Sequence, residues 1–82
     1  MTLSFDDFVL ALRTELRLAE EKEINPEFRL AEDMELDSLD FFMLVVWLEE
    51  LAGAAPGAAD GLPIATIGEA FEAFVSLRGQ AP

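Results

Sequence analysis

The residues most capable of chemistry form one short segment, Glu35-Leu36-Asp37-Ser38-Leu39-Asp40. Its serine hydroxyl lies between acidic side chains, at the position where a helix is expected to begin. Free N–H groups and the helix dipole at such a position favour a bound phosphate, so a phosphodiester on Ser38 would be partly compensated even in an acidic protein. Asp37 and Ser38 are also ordinary helix-capping residues. The segment by itself therefore leaves two interpretations open, a modification site and a simple cap.

Other kinds of reactive site are missing from the sequence. The chain has no Cys and no His, which excludes thiolate nucleophiles, His-based acid–base catalysis and zinc sites of the usual ligand type. The acids form no D-x-D-x-D-G loop of the kind that binds calcium. We therefore predict no catalytic residues and no metal site, in a protein that is not an enzyme.

The charge of the chain limits the kinds of partner that it can bind. The 82 residues include 5 Lys and Arg against 17 Asp and Glu, a formal net charge of −12. So few basic residues cannot form a face that binds nucleic-acid phosphates, and an anionic membrane surface would repel the chain. Yet 52% of the residues are apolar, which is too many for a disordered chain. We expect one folded acidic domain over 1–82, with 79–82 as a mobile tail.

Neither a transmembrane segment nor a signal segment is visible. The longest apolar run, 41–48, is shorter than the about 18 residues that a bilayer span needs. No basic stretch precedes an apolar run at the N-terminus. The expected location is therefore the cytoplasm, without membrane insertion.

A helix and a long connection are expected before Ser38. Ser4 is a good N-cap, and apolar residues then recur at helical spacing, which predicts helix 1 at about 5–18. The connection over 19–36 is long enough to be functional rather than filler. Four apolar residues in it are expected to pin it to the core, namely Phe28, Leu30, Met34 and Leu36.

Further helical segments follow. Helix 2 is predicted to open at Asp37 or Ser38 and to run to about Ala52, and the small residues of 52–61 allow only a short, weak helix. The last helix opens with the capping box Thr66-Ile67-Gly68-Glu69 and ends at Gly79. The predicted fold is all-α: a small four-helix bundle with three main helices, one short helix and a long loop between helices 1 and 2.

Together these features resemble acyl carrier proteins of the bacterial free-standing type. The likeness rests on helix 1, the long loop, Asp37-Ser38-Leu39-Asp40, Leu48-Glu49-Glu50 and Thr66-Ile67-Gly68-Glu69-Ala70. The resemblance implies that a phosphopantetheinyl transferase attaches 4′-phosphopantetheine, taken from coenzyme A, to the Ser38 hydroxyl. The thiol of that arm would carry an acyl group as a thioester and present it to acyl-loading, ketosynthase or acyltransferase-type enzymes.

The residue before the serine bears on the cargo. Asp37 looks like the acyl carriers, whereas peptidyl carriers typically have Gly-Gly-x-Ser. The resemblance therefore implies fatty-acid or polyketide-type cargo, in specialised biosynthesis. Two alternatives remain open. One is a carrier for aminoacyl or aryl cargo, and the other is an unmodified helical adaptor that binds partners through helix 2.

One departure from the family lies just before the serine. The family commonly has Leu-Gly-x-Asp-Ser-Leu, but here Glu35 stands at the position of the glycine. If that position requires a positive φ, Glu35 must tolerate strain there, or the loop must differ locally.

Helix 2 departs more, because its residues 41–48 are all apolar. At about 100° per residue, one side of the helix is the core face and comprises Phe41, Leu44, Val45, Leu48 and Ala52. The opposite side carries an apolar patch with acids beside it, formed by Leu39, Met43, Val46, Trp47, Asp40 and Glu50. We predict that these residues recognise partner enzymes, while Asp37 and Asp40 help the transferase to dock. We expect a monomer. The competing interpretation is that the patch is buried, either because helix 2 is rotated or because a dimer forms through helix 2.

Phe41 forms a separate hypothesis. It lies on the core face one turn from Ser38, beside the place where an acyl chain would enter such a bundle. Its ring would narrow that acyl channel. The alternative is an ordinary core phenylalanine.

Overall fold

The computed structural model describes residues 4–16 and 24–80, which form three helices and no strand. Helix α1 spans Phe5–Glu15, α2 spans Ser38–Ala52 and α3 spans Ile67–Gln80. The prediction of an all-α fold is therefore confirmed. No helix in these two stretches is long and apolar enough to cross a membrane.

Helix α1 begins where its cap predicts. The Ser4 Oγ accepts a hydrogen bond from the Asp7 N–H at 3.2 Å, and the acids of the first turn suit the positive end of the helix dipole. The helix ends at Glu15, with Leu16 as its C-cap, which is earlier than the predicted end near 18. Residues 17 and 18 lie outside the described residues.

The connection before α2 is fixed to the start of α3. The Leu30 N–H donates to the Ala65 carbonyl at 2.9 Å, next to an isolated antiparallel bridge between Arg29 and Thr66. These backbone bonds hold the loop beside the third helix. The four predicted anchors all pack against the core, two of them buried and two partly buried: Leu30, Met34, Phe28 and Leu36.

The predicted short helix over 52–61 is not confirmed. After Gly53 ends α2 with a φ of 72°, the chain forms successive turns over 56–61. Hydrogen bonds between residues three apart close these turns. Gly57 and Gly61 both have positive φ, and each interrupts the right-handed backbone that a regular helix requires. This turn segment therefore replaces the expected helix.

The capping box of α3 is confirmed. The Glu69 N–H donates to Thr66 Oγ1 at 3.1 Å, and the Thr66 N–H donates to Glu69 Oε1 at 3.2 Å. The helix continues to Gln80, so it does not end at Gly79 as predicted. Glycine lowers helix propensity but does not prevent helix formation in a last turn. Ala81 and Pro82 lie outside the described residues.

A cluster of aromatic side chains joins the three helices. Phe8 of α1 is fully buried, and its ring centroid lies 5.7 Å from that of Trp47 on α2. It also lies 5.3 Å from Phe71 and 5.7 Å from Phe74, both on α3. Phe8 therefore lies where side chains of all three helices contact one another in the core.

The core face predicted for the second helix is confirmed. Three of its residues are buried and two are partly buried against the core, namely Leu44, Leu48, Ala52, Phe41 and Val45. This packing fixes which side of α2 faces solvent.

Candidate functional site

Ser38 is the first residue of α2 and is exposed. Within the part of the chain that the structure describes, its hydroxyl forms no hydrogen bond. The N–H groups of Ser38 and Leu39 also have no acceptor there, as is usual in the first turn of a helix. An accessible hydroxyl and two free backbone donors therefore lie together at this helix start.

Asp37 and Asp40 hold this helix start through a reciprocal capping box. Asp37 Oδ1 accepts from the Asp40 N–H at 2.8 Å, and Asp40 Oδ2 accepts from the Asp37 N–H at 3.4 Å. The interpretation of Asp37 as a helix cap is confirmed, whereas Ser38 is the first helical residue and its hydroxyl caps no group in the described chain. The side chains of Asp37 and Asp40 are both exposed and therefore accessible to a partner. Their predicted part in transferase docking stays a prediction.

Glu35 has a left-handed backbone, with a φ of 56°. It is the one non-glycine residue with positive φ among those described. The Leu36 N–H directly after it donates to the Leu30 carbonyl at 3.1 Å, which turns the chain towards α2. This is the backbone conformation that favours glycine, so the strain expected for a non-glycine residue falls on Glu35.

Replacing Glu35 by glycine is expected to stabilise the fold by about 0.5–1 kcal/mol. The left-handed conformation costs a non-glycine residue about 1–2 kcal/mol, and the greater freedom of glycine in the unfolded chain offsets part of the gain. Urea denaturation measures the change. Glu27→Gly is a matched control in the same connection, since Glu27 is exposed without a positive φ and should only destabilise. If the Glu35→Gly protein were no more stable than the Glu27→Gly control, the backbone at Glu35 would not be strained.

Two surface grooves reach Ser38 from either side of Phe41. The first has a volume of about 480 Å³ and lies between the loop, the start of α2 and residues 64–65. The second has a volume of about 570 Å³ and runs between α2 and the turn segment. Phe41 is partly buried and lines both of them. Its predicted narrowing of an acyl channel stays a prediction.

The apolar patch on α2 differs from the predicted one. Leu39 and Met43 are exposed as expected, at 66% and 55%, and Val46 is partly buried. Trp47 is partly buried, and its ring packs against Phe8 of α1, so it is not one of the exposed patch residues. Glu50 is exposed beside the patch.

Phe42 is a patch residue that the sequence reasoning missed. Its side chain is 64% exposed, as much as that of Leu39. Helix geometry could have predicted its position. Three residues at about 100° each bring Phe42 to within about 60° of Leu39 around the helix axis. The exposed apolar patch is therefore Leu39, Phe42 and Met43, with Val46 at its edge.

Glu49 is the second residue that was missed. It is 5% exposed, and its Oε2 accepts a hydrogen bond from the Ala59 N–H at 3.0 Å. The carboxylate therefore fastens the turn segment onto α2. Nothing in the sequence distinguishes it from the neighbouring Glu50, because the covering segment is set by tertiary packing.

Comparisons with protein-family models, with curated proteins and with solved structures gave no match for this chain. In the described ranges, no group of three or more acidic side chains could hold a metal ion.

Proposed function

We propose that this protein is an acyl carrier whose attachment site for 4′-phosphopantetheine is Ser38. The observation that carries the proposal is the exposed Ser38 hydroxyl, which has no hydrogen bond to the described residues and lies at the first residue of α2 behind the Asp37–Asp40 capping box. A long connection pinned to the core leads into this position. Such a protein would present cargo to partner enzymes.

The helix start has groups that suit a phosphodiester. The N–H groups of Ser38 and Leu39 point from the positive end of the helix dipole and have no acceptor in the described chain. Asp37 and Asp40 are engaged by backbone N–H groups, which offsets part of their repulsion towards a phosphate. The residues present therefore fit the group.

Attachment requires Ser38 Oγ to act as the nucleophile. Oγ forms a bond to the phosphorus of coenzyme A that bears the pantetheine, the bond to the leaving adenosine 3′,5′-bisphosphate breaks, and a base on the transferase takes the hydroxyl proton. When bound, the group supplies the thiol that holds an acyl cargo as a thioester. The Cys-free chain needs no thiol of its own.

The turn segment lies where a carrier-type bundle would have its short helix, although it forms separate turns and no regular helix. Its hydrogen bonds join Ala58 to Ala55, Asp60 to Gly57 and Leu62 to Ala59, each with the 3₁₀ spacing. In a carrier bundle this segment would take the place of the short helix.

The exposed apolar patch is the proposed recognition surface for the transferase and for acyl-loading, ketosynthase or acyltransferase-type enzymes. Aromatic and Met side chains are typical of the central contacts of interfaces. The acids Asp37, Asp40 and Glu50 around it favour basic partner surfaces and raise encounter rates at low salt.

Removing the apolar patch is expected to slow loading about tenfold. The double variant Phe42→Ala, Met43→Ala loses two exposed side chains without a change in charge, and a tenfold effect corresponds to about 1.4 kcal/mol lost over the pair. The measurement is kcat/KM of the transferase for the carrier. The matched control is Leu10→Ala, Val75→Ala, which removes exposed apolar side chains from α1 and α3. Equal kcat/KM for the two double variants would refute the recognition surface.

Intact mass tests the attachment itself. The purified chain is incubated with coenzyme A and a broad-specificity phosphopantetheinyl transferase. A mass gain of one phosphopantetheinyl group supports the proposal. No gain with several transferases, while the chain remains helical, favours the unmodified adaptor, for which the exposed patch of Leu39, Phe42 and Met43 is the specific support. Carriage of aminoacyl or aryl cargo is distinguished by the loading enzyme that accepts the modified chain.

A further inference from the structure

One basic side chain lines the first of the two grooves at Ser38. This groove lies between the loop, the start of α2 and residues 64–65, and Arg29 is the one basic residue among the described residues that line it. The sequence has no Lys or Arg over 30–77. Arg29 is therefore the cation that shares a groove with the proposed attachment site.

Arg29 is held in place through its backbone. Its N–H donates to Asp33 Oδ2 at 2.7 Å, and its carbonyl accepts from the N–H groups of Asp33 and Met34 at 2.9 and 3.1 Å. The bridge to Thr66 also fixes it to the start of α3. None of these bonds uses the Arg29 side chain, so the guanidinium group can change partners while the backbone stays in place.

The guanidinium group has donors to spare. Among the described residues, one of its five N–H donors is used, in the bond to Glu32 at 2.9 Å. The two side chains of this pair are 64% and 68% exposed, and ion pairs with such exposure contribute little to stability. A phosphate can therefore bind the free donors or displace Glu32.

A phosphodiester on Ser38 would otherwise have carboxylates as its nearest charged neighbours in this groove. Glu32 and Asp37 line it, and Asp40 lies on the same first turn of α2. These groups repel an added negative charge, and the capping bonds offset only part of that repulsion. A guanidinium group offsets it at the phosphate itself, because it can bind two phosphate oxygens through parallel N–H bonds.

We infer that Arg29 binds the phosphodiester of the arm attached to Ser38. This inference rests on the proposed attachment at Ser38. Arg29 acts as a positioning residue, because it lines the first groove, whereas the described lining of the groove along the turn segment contains no basic residue. The arm therefore leaves Ser38 on the side of Phe41 that faces Ile64 and Ala65.

NMR of the arginine side chains tests this contact. The Nε–Hε signal of Arg29 is recorded before and after loading from coenzyme A, and intact mass verifies the loading. At low salt its shift on loading is expected to be at least about threefold that of Arg78, which lies in the last turn of α3, at the far end of that helix from residues 64–65. High salt should reduce the Arg29 shift, because it screens the attraction.

A thermodynamic cycle gives a second test. Urea unfolding is measured for the unloaded and the loaded protein, each with and without Arg29→Gln, so that loss of the Glu32 pair occurs on both sides of the cycle. Loading is expected to lower the folding equilibrium constant about twofold to fivefold more in Arg29→Gln than in the unchanged chain. Arg78→Gln makes the same change in charge at the far end of α3 and should show no such difference.

The outcomes separate the inference from the attachment on which it rests. Equal shifts of Arg29 and Arg78, or equal effects of loading in Arg29→Gln and Arg78→Gln, would overturn the inference in a chain that has gained the loaded mass. Larger amide shifts at Gly57 than at Ile64 and Ala65 would also overturn it, because they would place the arm on the other side of Phe41. Absence of a loaded mass would instead overturn the attachment, and the inference with it.

Discussion

Replacement of Ser38 by alanine is expected to abolish the mass gain from coenzyme A completely. The methyl group of alanine cannot form the bond to phosphorus that the serine hydroxyl forms. The fold should be unaffected, because the Ser38 side chain is exposed and forms no hydrogen bond in the described chain, while the cap is supplied by Asp37. Alanine is also the best helix former. Loss of loading would therefore report on the hydroxyl alone.

Ser76→Ala is the matched control for this experiment. Ser76 is also an exposed helical serine, on α3, and its loss should leave the mass gain intact. Circular dichroism of both variants checks that the helices are retained. A Ser38→Ala protein that still gains the full mass would show that another residue is modified and would remove the basis of the proposed function.

Phe8→Ala is expected to cost about 3–5 kcal/mol of unfolding free energy, the range for truncating a buried phenylalanine. Phe8 is fully buried, and its ring is the one that meets Trp47 of α2 and both Phe71 and Phe74 of α3. A domain of this size has only about 4–12 kcal/mol to lose. At the lower end of that range much of the population should unfold, which would also remove the order of the Ser38 site.

Urea denaturation followed by circular dichroism measures this loss. Leu10→Ala is the control, because Leu10 lies on the same helix but is 62% exposed and should change stability by less than about 0.5 kcal/mol. Similar midpoints for the two variants would show that the aromatic cluster does not hold the helices together.

The starts of the helices could be predicted because each depends on a local hydrogen bond. Ser4, Asp37 and Thr66 each accept from an N–H three residues ahead, so a short stretch of sequence contains the whole signal. The position of Ser38 in the first turn follows from the same signal. The positive φ of Glu35 could be anticipated only from the motif it interrupts.

The faces of α2 could be predicted only in part. Its apolar run gives no strong periodicity, so the boundary between core and surface had to be estimated from an ideal helix. Trp47 was misplaced because its ring packs against Phe8 of α1, and Glu49 was overlooked because its carboxylate is bonded to the turn segment. Both errors concern residues whose environment is made by a distant part of the chain.

Glu49 and Glu50 are adjacent and chemically identical, but the hydrogen bond from the Ala59 N–H to Glu49 should make the two positions differ in the substitutions they tolerate. Glu50 is exposed, so many substitutions there alter only surface charge. At Glu49, an apolar replacement would leave the Ala59 N–H buried without an acceptor, at a cost of about 1–3 kcal/mol. Random variation should therefore accumulate freely at one glutamate of the pair and be confined at the other to side chains that can accept a hydrogen bond.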